Sequence, residues 1–89
     1  MAWKVEFLES AGRSLAKLGR EEQRRIIKFV RERLEGDENP RRIGKPMQGN
    51  HAGRWRYRVG DYRLICNIED GKLLILVLAV GHRREAYRD

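Results

Sequence analysis

The sequence predicts an α+β fold: an N-terminal strand and a helical hairpin, then a three-stranded antiparallel meander, with the helices on one face of the sheet. Three observations carry that expectation. Apolar residues alternate at the start of the chain, recur every three or four positions from Leu8 to Leu34, and alternate again after Gly53. Gly60-Asp61 and Asp70-Gly71 then supply two hairpin turns between apolar runs. At 89 residues the chain is sized for a single hydrophobic core, so residues 1–89 read as one domain.

Each element has its own warrant. Trp3, Val5 and Phe7 alternate with Lys4 and Glu6, which predicts a half-buried strand over 2–7. Leu8, Ala11, Leu15 and Leu18 form a helical stripe, with Glu9 or Ser10 placed to cap its start and Gly19 to end it. Ile26, Ile27, Val30 and Leu34 stripe a second helix over 21–35, whose other face of arginine and glutamate reads as solvated surface. Pro40 and Pro46 lie in a stretch, 36–46, where helix cannot continue, and this reads as loop. Strands follow over 54–59, 62–69 and 72–80, and the tail 82–89 is polar. No internal repeat is visible.

Composition narrows the function classes. The longest apolar run, Leu73 to Val80, is too short to cross a bilayer as a helix. Lys4 and Glu6 stand where a signal peptide needs apolar residues. Cys66 is the single cysteine, which excludes an internal disulfide and a cysteine metal cluster. The expectation is a soluble cytoplasmic protein with no metal, no small-molecule cofactor and no membrane partner. The net charge of +7 is concentrated: Arg41, Arg42, Lys45, Arg54, Arg56 and Arg58 lie in an eighteen-residue stretch without an acid, while the segments on either side nearly balance.

A two-residue Gly60-Asp61 loop sets the register of the first hairpin. Val59 then faces Tyr62, Arg58 faces Arg63, Tyr57 faces Leu64 and Arg56 faces Ile65. Trp55, Tyr57, Val59, Tyr62 and Leu64 share an apolar face, where Cys66 reads as a small core residue, and Arg54, Arg56, Arg58 and Arg63 share the other. Like charges directly opposite destabilise a sheet. Four guanidinium groups with no acid in register are therefore more than a solvated face; they suit phosphates. No Ser-His-Asp set and no carboxylate pair accompanies them. RNA carries its own nucleophile, the 2′-hydroxyl, so such a site needs only to orient the strand, stabilise developing charge and move two protons. His82, Tyr87 and His51 are the near candidates for the proton transfers. With Asp70-Gly71 as a simple turn, parity puts His82 on the arginine face and Arg83 on the opposite one, unless a bulge or strand end at Gly81 shifts the phase.

These residues resemble the RelE/ParE toxin superfamily over essentially the whole chain. The resemblance rests on the element order, on Lys45…Gly49…Gly53-Arg54-Trp55-Arg56-Tyr57-Arg58-Val59-Gly60-Asp61-Tyr62-Arg63-Leu64, and on Val80-Gly81-His82-Arg83-Arg84-Glu85-Ala86-Tyr87. It implies a RelE-like fold and a toxin silenced by a cognate antitoxin. RelE-like members are ribosome-dependent endoribonucleases that cut mRNA in the A site; ParE-like members inhibit DNA gyrase without chemistry of their own. Carried over by motif, the RelE-like catalytic set becomes Arg56, Arg58, Arg63, Arg83 and Tyr87, with Arg41, Arg42, Lys45, Arg54, His82 and Arg84 as RNA contacts. The tail arginine and tyrosine tilt the resemblance toward RelE. Arg56 and Arg58 stand where well-known members carry lysines, and arginine is a poor general base, which leaves His82 or Tyr87 for that role. A gyrase inhibitor and a non-catalytic RNA-binding protein are the alternatives. Leu74, Leu76 and Leu78 should share the face of Arg63, covered by the helices at one end or by an antitoxin segment.

Overall fold

A computed structural model describes residues 3–82. Its sheet has five strands in the order β1-β5-β4-β3-β2. These are β1 (Lys4–Phe7), β2 (Lys45–Pro46), β3 (Trp55–Val59), β4 (Tyr62–Glu69) and β5 (Leu74–His82), with β1 parallel to β5 and the rest antiparallel. Two helices, α1 (Glu9–Ala16) and α2 (Arg20–Phe29), cover one face. The expected α+β architecture is present, with one strand more than the sequence suggested. The extra strand, β2, ends in Pro46, which lacks an N–H and so belongs at a sheet edge.

The helical hairpin is built differently at its joints. Leu8, not Glu9 or Ser10, precedes α1, and its apolar side chain offers no cap; its N–H bonds Val77 O at the end of the β1–β5 ladder. Gly19 sits in extended backbone as the residue before α2 rather than as a left-handed stop after α1. Closure of α1 comes from Gln23, whose Nε2 donates to Leu18 O at 2.8 Å and Ala16 O at 3.2 Å, satisfying carbonyls that a helix end leaves open. α2 runs on through a π-helical turn, Val30–Leu34, which keeps both Val30 and Leu34 on the sheet.

The core lies between the helices and the expected apolar face. Ala11, Ile26, Val30 and Leu34 meet Tyr57, Val59, Leu64, Cys66, Ile75 and Val77 there. Each large side chain so buried contributes about 1.5–3 kcal/mol. Tyr57 is wholly buried; its hydroxyl donates to Pro40 O at 2.6 Å and its ring meets Phe29 edge-on at 6.1 Å. Trp3 Nε1 donates to Glu38 O at 3.0 Å, and Glu35 Oε2 accepts Val5 N–H at 3.0 Å. These bonds hold the chain between α2 and β2 against the sheet. Burial pushes the Cys66 thiol up to about 12, as expected of a core cysteine.

The two hairpins differ from each other. Val59 pairs Tyr62, Arg58 pairs Arg63, Tyr57 pairs Leu64 and Arg56 pairs Ile65, the register read from Gly60-Asp61. Of the two loop residues Gly60 has a positive φ, +60°, and Asp61 does not, the pattern of a type II′ turn with glycine first. The second connection is longer than a two-residue turn: a 3₁₀ turn, Asp70–Lys72, is followed by Leu73 in the left-handed region at φ 51°. That insertion adds two residues and leaves parity unchanged. What changes parity is a bulge: Ile65 pairs Ala79 but Cys66 pairs Val77, so Leu78 is the extra residue. Beyond it, Val80 pairs Leu64, Gly81 pairs Arg63 and His82 pairs Tyr62.

Candidate anion site on the open sheet face

Opposite the helices, the sheet presents its basic face. Arg56, Arg58 and Arg63 point there by register, and β2 adds Lys45, which pairs Arg56 directly. Two like-charged pairs thus stand opposite each other, Lys45 with Arg56 and Arg58 with Arg63, each costing roughly 0.2–1 kcal/mol. Together with Ile43 these four side chains line a pocket of 130 Å³, and among the described residues no carboxylate lies in its wall. That is well below the about 300 Å³ at which small-molecule pockets begin, and suits a single anionic group such as a phosphodiester. Arg58 is exposed and reaches Gly60 O only at 3.5 Å, so its guanidinium is mostly available to a ligand.

The remaining expected contacts divide. Arg54 lies on the same face, its Nη1 3.2 Å from His51 Nδ1, donating to that nitrogen when it carries no proton. Arg41 and Arg42 are engaged elsewhere. Arg41 makes a bidentate pair with Asp70, at 2.9 and 2.8 Å, and lies over the Trp55 ring 5.6 Å from its centroid. Its hydrogen bonds hold the Asp70 carboxyl below the usual carboxylate range and raise its own pKa. Arg42 pairs Asp37 at 3.3 Å. The bulge at Leu78 turns His82 onto the helix-covered face, where its ring meets Tyr62 edge-on at 5.4 Å. Among the described residues, then, His82 and the arginine pocket are on opposite faces. Arg83, Arg84 and Tyr87 lie outside the described residues.

The face is not wholly wet. Ile65 and Met47 are buried yet stand apart from the core cluster, Ile65 facing with Arg56 and Met47 two positions beyond Lys45. Leu74, Leu76 and Leu78 are half-buried, not covered by the helices, and Leu74 and Leu76 pair the charged Lys4 and Glu6 of β1. Sequence reasoning missed Ile43 as a pocket wall and Lys45 as a strand residue; the lysine-proline pair after Gly44 was the available edge signal. No three His, Cys, Asp or Glu side chains converge as a metal site among the described residues.

A helical hairpin on one face of a mixed sheet, with arginines gathered on the other, defines a small toxin of the RelE/ParE kind, and known proteins agree. Residues 5–87 match the family model of the ParE toxin of type II toxin-antitoxin systems, parDE, so the chain belongs to that family. It is 38% identical to Toxin RelG of Mycobacterium tuberculosis over 99% of both chains, and 31% identical to Toxin RelE of the same organism over 94% of this chain and 84% of that protein. Among solved structures, it resembles the toxin-antitoxin complex RelBE2 of M. tuberculosis with a TM-score of 0.85 at 32% identity, covering 93% of this chain and 100% of that one. A free E. coli RelE variant matches with a TM-score of 0.77 at 26% identity, covering 97% and 88%.

Proposed function

We propose that the protein is the ribosome-dependent endoribonuclease of a toxin-antitoxin pair, cutting mRNA in the A site within the cytoplasm. One observation carries this reading: among the described residues, a pocket lined by the four basic side chains Lys45, Arg56, Arg58 and Arg63 together with Ile43. The 2′-oxygen of the substrate attacks the adjacent phosphorus, the bond to the 5′-oxygen breaks, and a 2′,3′-cyclic phosphate and a 5′-hydroxyl result. One proton must leave the 2′-oxygen and one must reach the 5′-oxygen. Arg56, Arg58 and Arg63 hold the phosphate and stabilise the negative charge that grows on it, without reorganising at that moment. The pocket arginines stay charged, so we assign proton transfer to Tyr87 of the tail. Arg83 and Tyr87 complete the catalytic set, with Arg54 and Arg84 as flanking RNA contacts. The RelE-named relatives support this reading, and relatives solved with RelB support a cognate antitoxin as partner.

Primer extension on a defined mRNA in a translating extract tests it, comparing wild type with Arg56→Ala, Arg63→Ala, Arg83→Ala and Tyr87→Ala. Codon-register cuts that vanish in the variants are expected. The match to the ParE family model favours a second reading, inhibition of DNA gyrase. Intact mRNA at toxin levels that stop growth and block supercoiling by purified gyrase would establish that reading instead.

A further inference from the structure

The outer face of α2 reads in sequence as ordinary solvated surface, but the structure gives it a different character. Arg20, Arg24, Lys28 and Arg31 recur at helical spacing and line a groove of 620 Å³. At a rise of 1.5 Å per residue they extend over about 16 Å on one side of a rigid rod. Arg25 and Arg33 lie beside them. All six cations are exposed, and among the described residues none forms an ion pair, although Glu21, Glu22 and Glu32 share the helix and its π turn.

This stripe is continuous with the anion pocket. Lys28 and Glu32 line both the α2 groove and a second groove of 390 Å³, and that second groove shares Ile43 and Arg58 with the pocket. The Arg25 guanidinium lies close over Gly60 of the hairpin turn, with Nη1 2.8 Å from where a Cβ would stand. Basic side chains therefore extend from the sheet face around the hairpin turn and along α2, with Glu32 the one acid lining the two grooves among the described residues.

We infer that α2 is a docking surface for the backbone of double-helical RNA, separate from the strand held in the pocket. Two features select this partner. Readers of single strands stack bases on exposed aromatics, whereas duplex RNA is gripped through phosphates and 2′-hydroxyls. Among the described residues the groove holds no aromatic side chain, and Phe29 at its border is half-buried against Tyr57. A partner helix of a protein would need apolar anchors at successive turns, and among the described residues Ile27 is the one apolar lining residue of the groove.

The test uses the full chain and a fluorescent RNA hairpin with a blunt duplex stem, followed by anisotropy across a salt series. The triple variant Arg20→Gln, Arg24→Gln, Arg31→Gln keeps helix-forming residues at exposed positions, and far-UV circular dichroism checks its fold. Its affinity for the hairpin should drop about tenfold or more at ~0.1 M salt, and its slope of log affinity against log salt should shrink by roughly 2–3. A single-stranded oligonucleotide should bind both proteins alike, and the triple lysine variant should bind the hairpin as wild type does. Unchanged hairpin binding overturns the inference, as does an equal loss for both RNAs. So does a loss confined to binding of an acidic protein partner. Hairpin binding that persists in Arg63→Ala separates this surface from the cleavage reading, which stands or falls on the primer-extension result.

Discussion

Arg58 and Arg63 face each other across the first hairpin one position beyond the pair that closes its two-residue loop. In an antiparallel ladder that is a non-hydrogen-bonded position, where opposing side chains approach most closely. Replacing Arg63 by glutamine keeps most of its aliphatic stem and removes one charge. Relief of the repulsion should stabilise the protein by roughly 0.2–1 kcal/mol. For a domain of this size that is an upward shift in Tm of about 1–8 °C. The gain should shrink as salt is added, because the Debye length falls from about 30 Å at ~0.01 M to about 10 Å at ~0.1 M. Inorganic phosphate should act in the opposite sense: wild type gains about 1.4 kcal/mol when phosphate is about tenfold over its Kd, and the variant gains less. Thermal unfolding followed by circular dichroism, in phosphate-free low-salt buffer and then with phosphate titrated in, reads both effects. An Arg63→Gln protein that melts below wild type at low salt, with the same response to phosphate, would refute the account of a repulsive cluster held for an anion.

Three further outcomes follow from the fold. Tyr57→Phe leaves the Pro40 carbonyl, at 2.6 Å from the lost hydroxyl, buried without its partner, so urea unfolding should show a loss of about 1–3 kcal/mol with the m-value unchanged. Asp70 has its folded pKa lowered by the Arg41 hydrogen bonds, so its contribution is present above the unfolded carboxylate pKa of about 4 and is lost as pH falls through the lower folded value. The stability difference between wild type and Asp70→Asn should accordingly be seen at neutral pH and close at strongly acidic pH; a gap that persists there would place the contribution in something other than the carboxylate charge. The Cys66 thiol, buried and pushed up to about 12, should resist alkylation in the native protein at neutral pH and react on unfolding, which mass spectrometry of labelled protein will report.

How far the sequence carried the site depended on whether a local signal was available. Register in the first hairpin was legible because glycine at the first loop position selects a two-residue turn, and aromatic and arginine residues then alternate cleanly. The arginine face followed from that alone. In β5 no such contrast exists: residues on both faces are apolar from Leu74 to Val80, so a slip of phase leaves no trace in the pattern. The bulge at Leu78 was invisible for that reason, and with it the turn of His82 toward Tyr62. The Arg41–Asp70 pair was hidden by distance of another kind, since Asp70 lies 29 residues away in sequence.

The bulge also has a functional consequence. Without it, β5 would present Val80 and His82 to the arginine pocket and turn Gly81 toward the helices. With it, Gly81 is the residue opposite Arg63, so no side chain from β5 competes for the space above that guanidinium. Leu78 is the residue sacrificed to this change of phase, and Val80 is returned to the core, where it is buried. A regular strand would pack one face well and crowd the other. The irregular strand satisfies both, burying valine against the helices and leaving the site walled by cations and Ile43. The same slip removes His82 from the pocket, which is why proton transfer in the proposed reaction is assigned to Tyr87 of the tail rather than to the histidine that the unbroken pattern indicated.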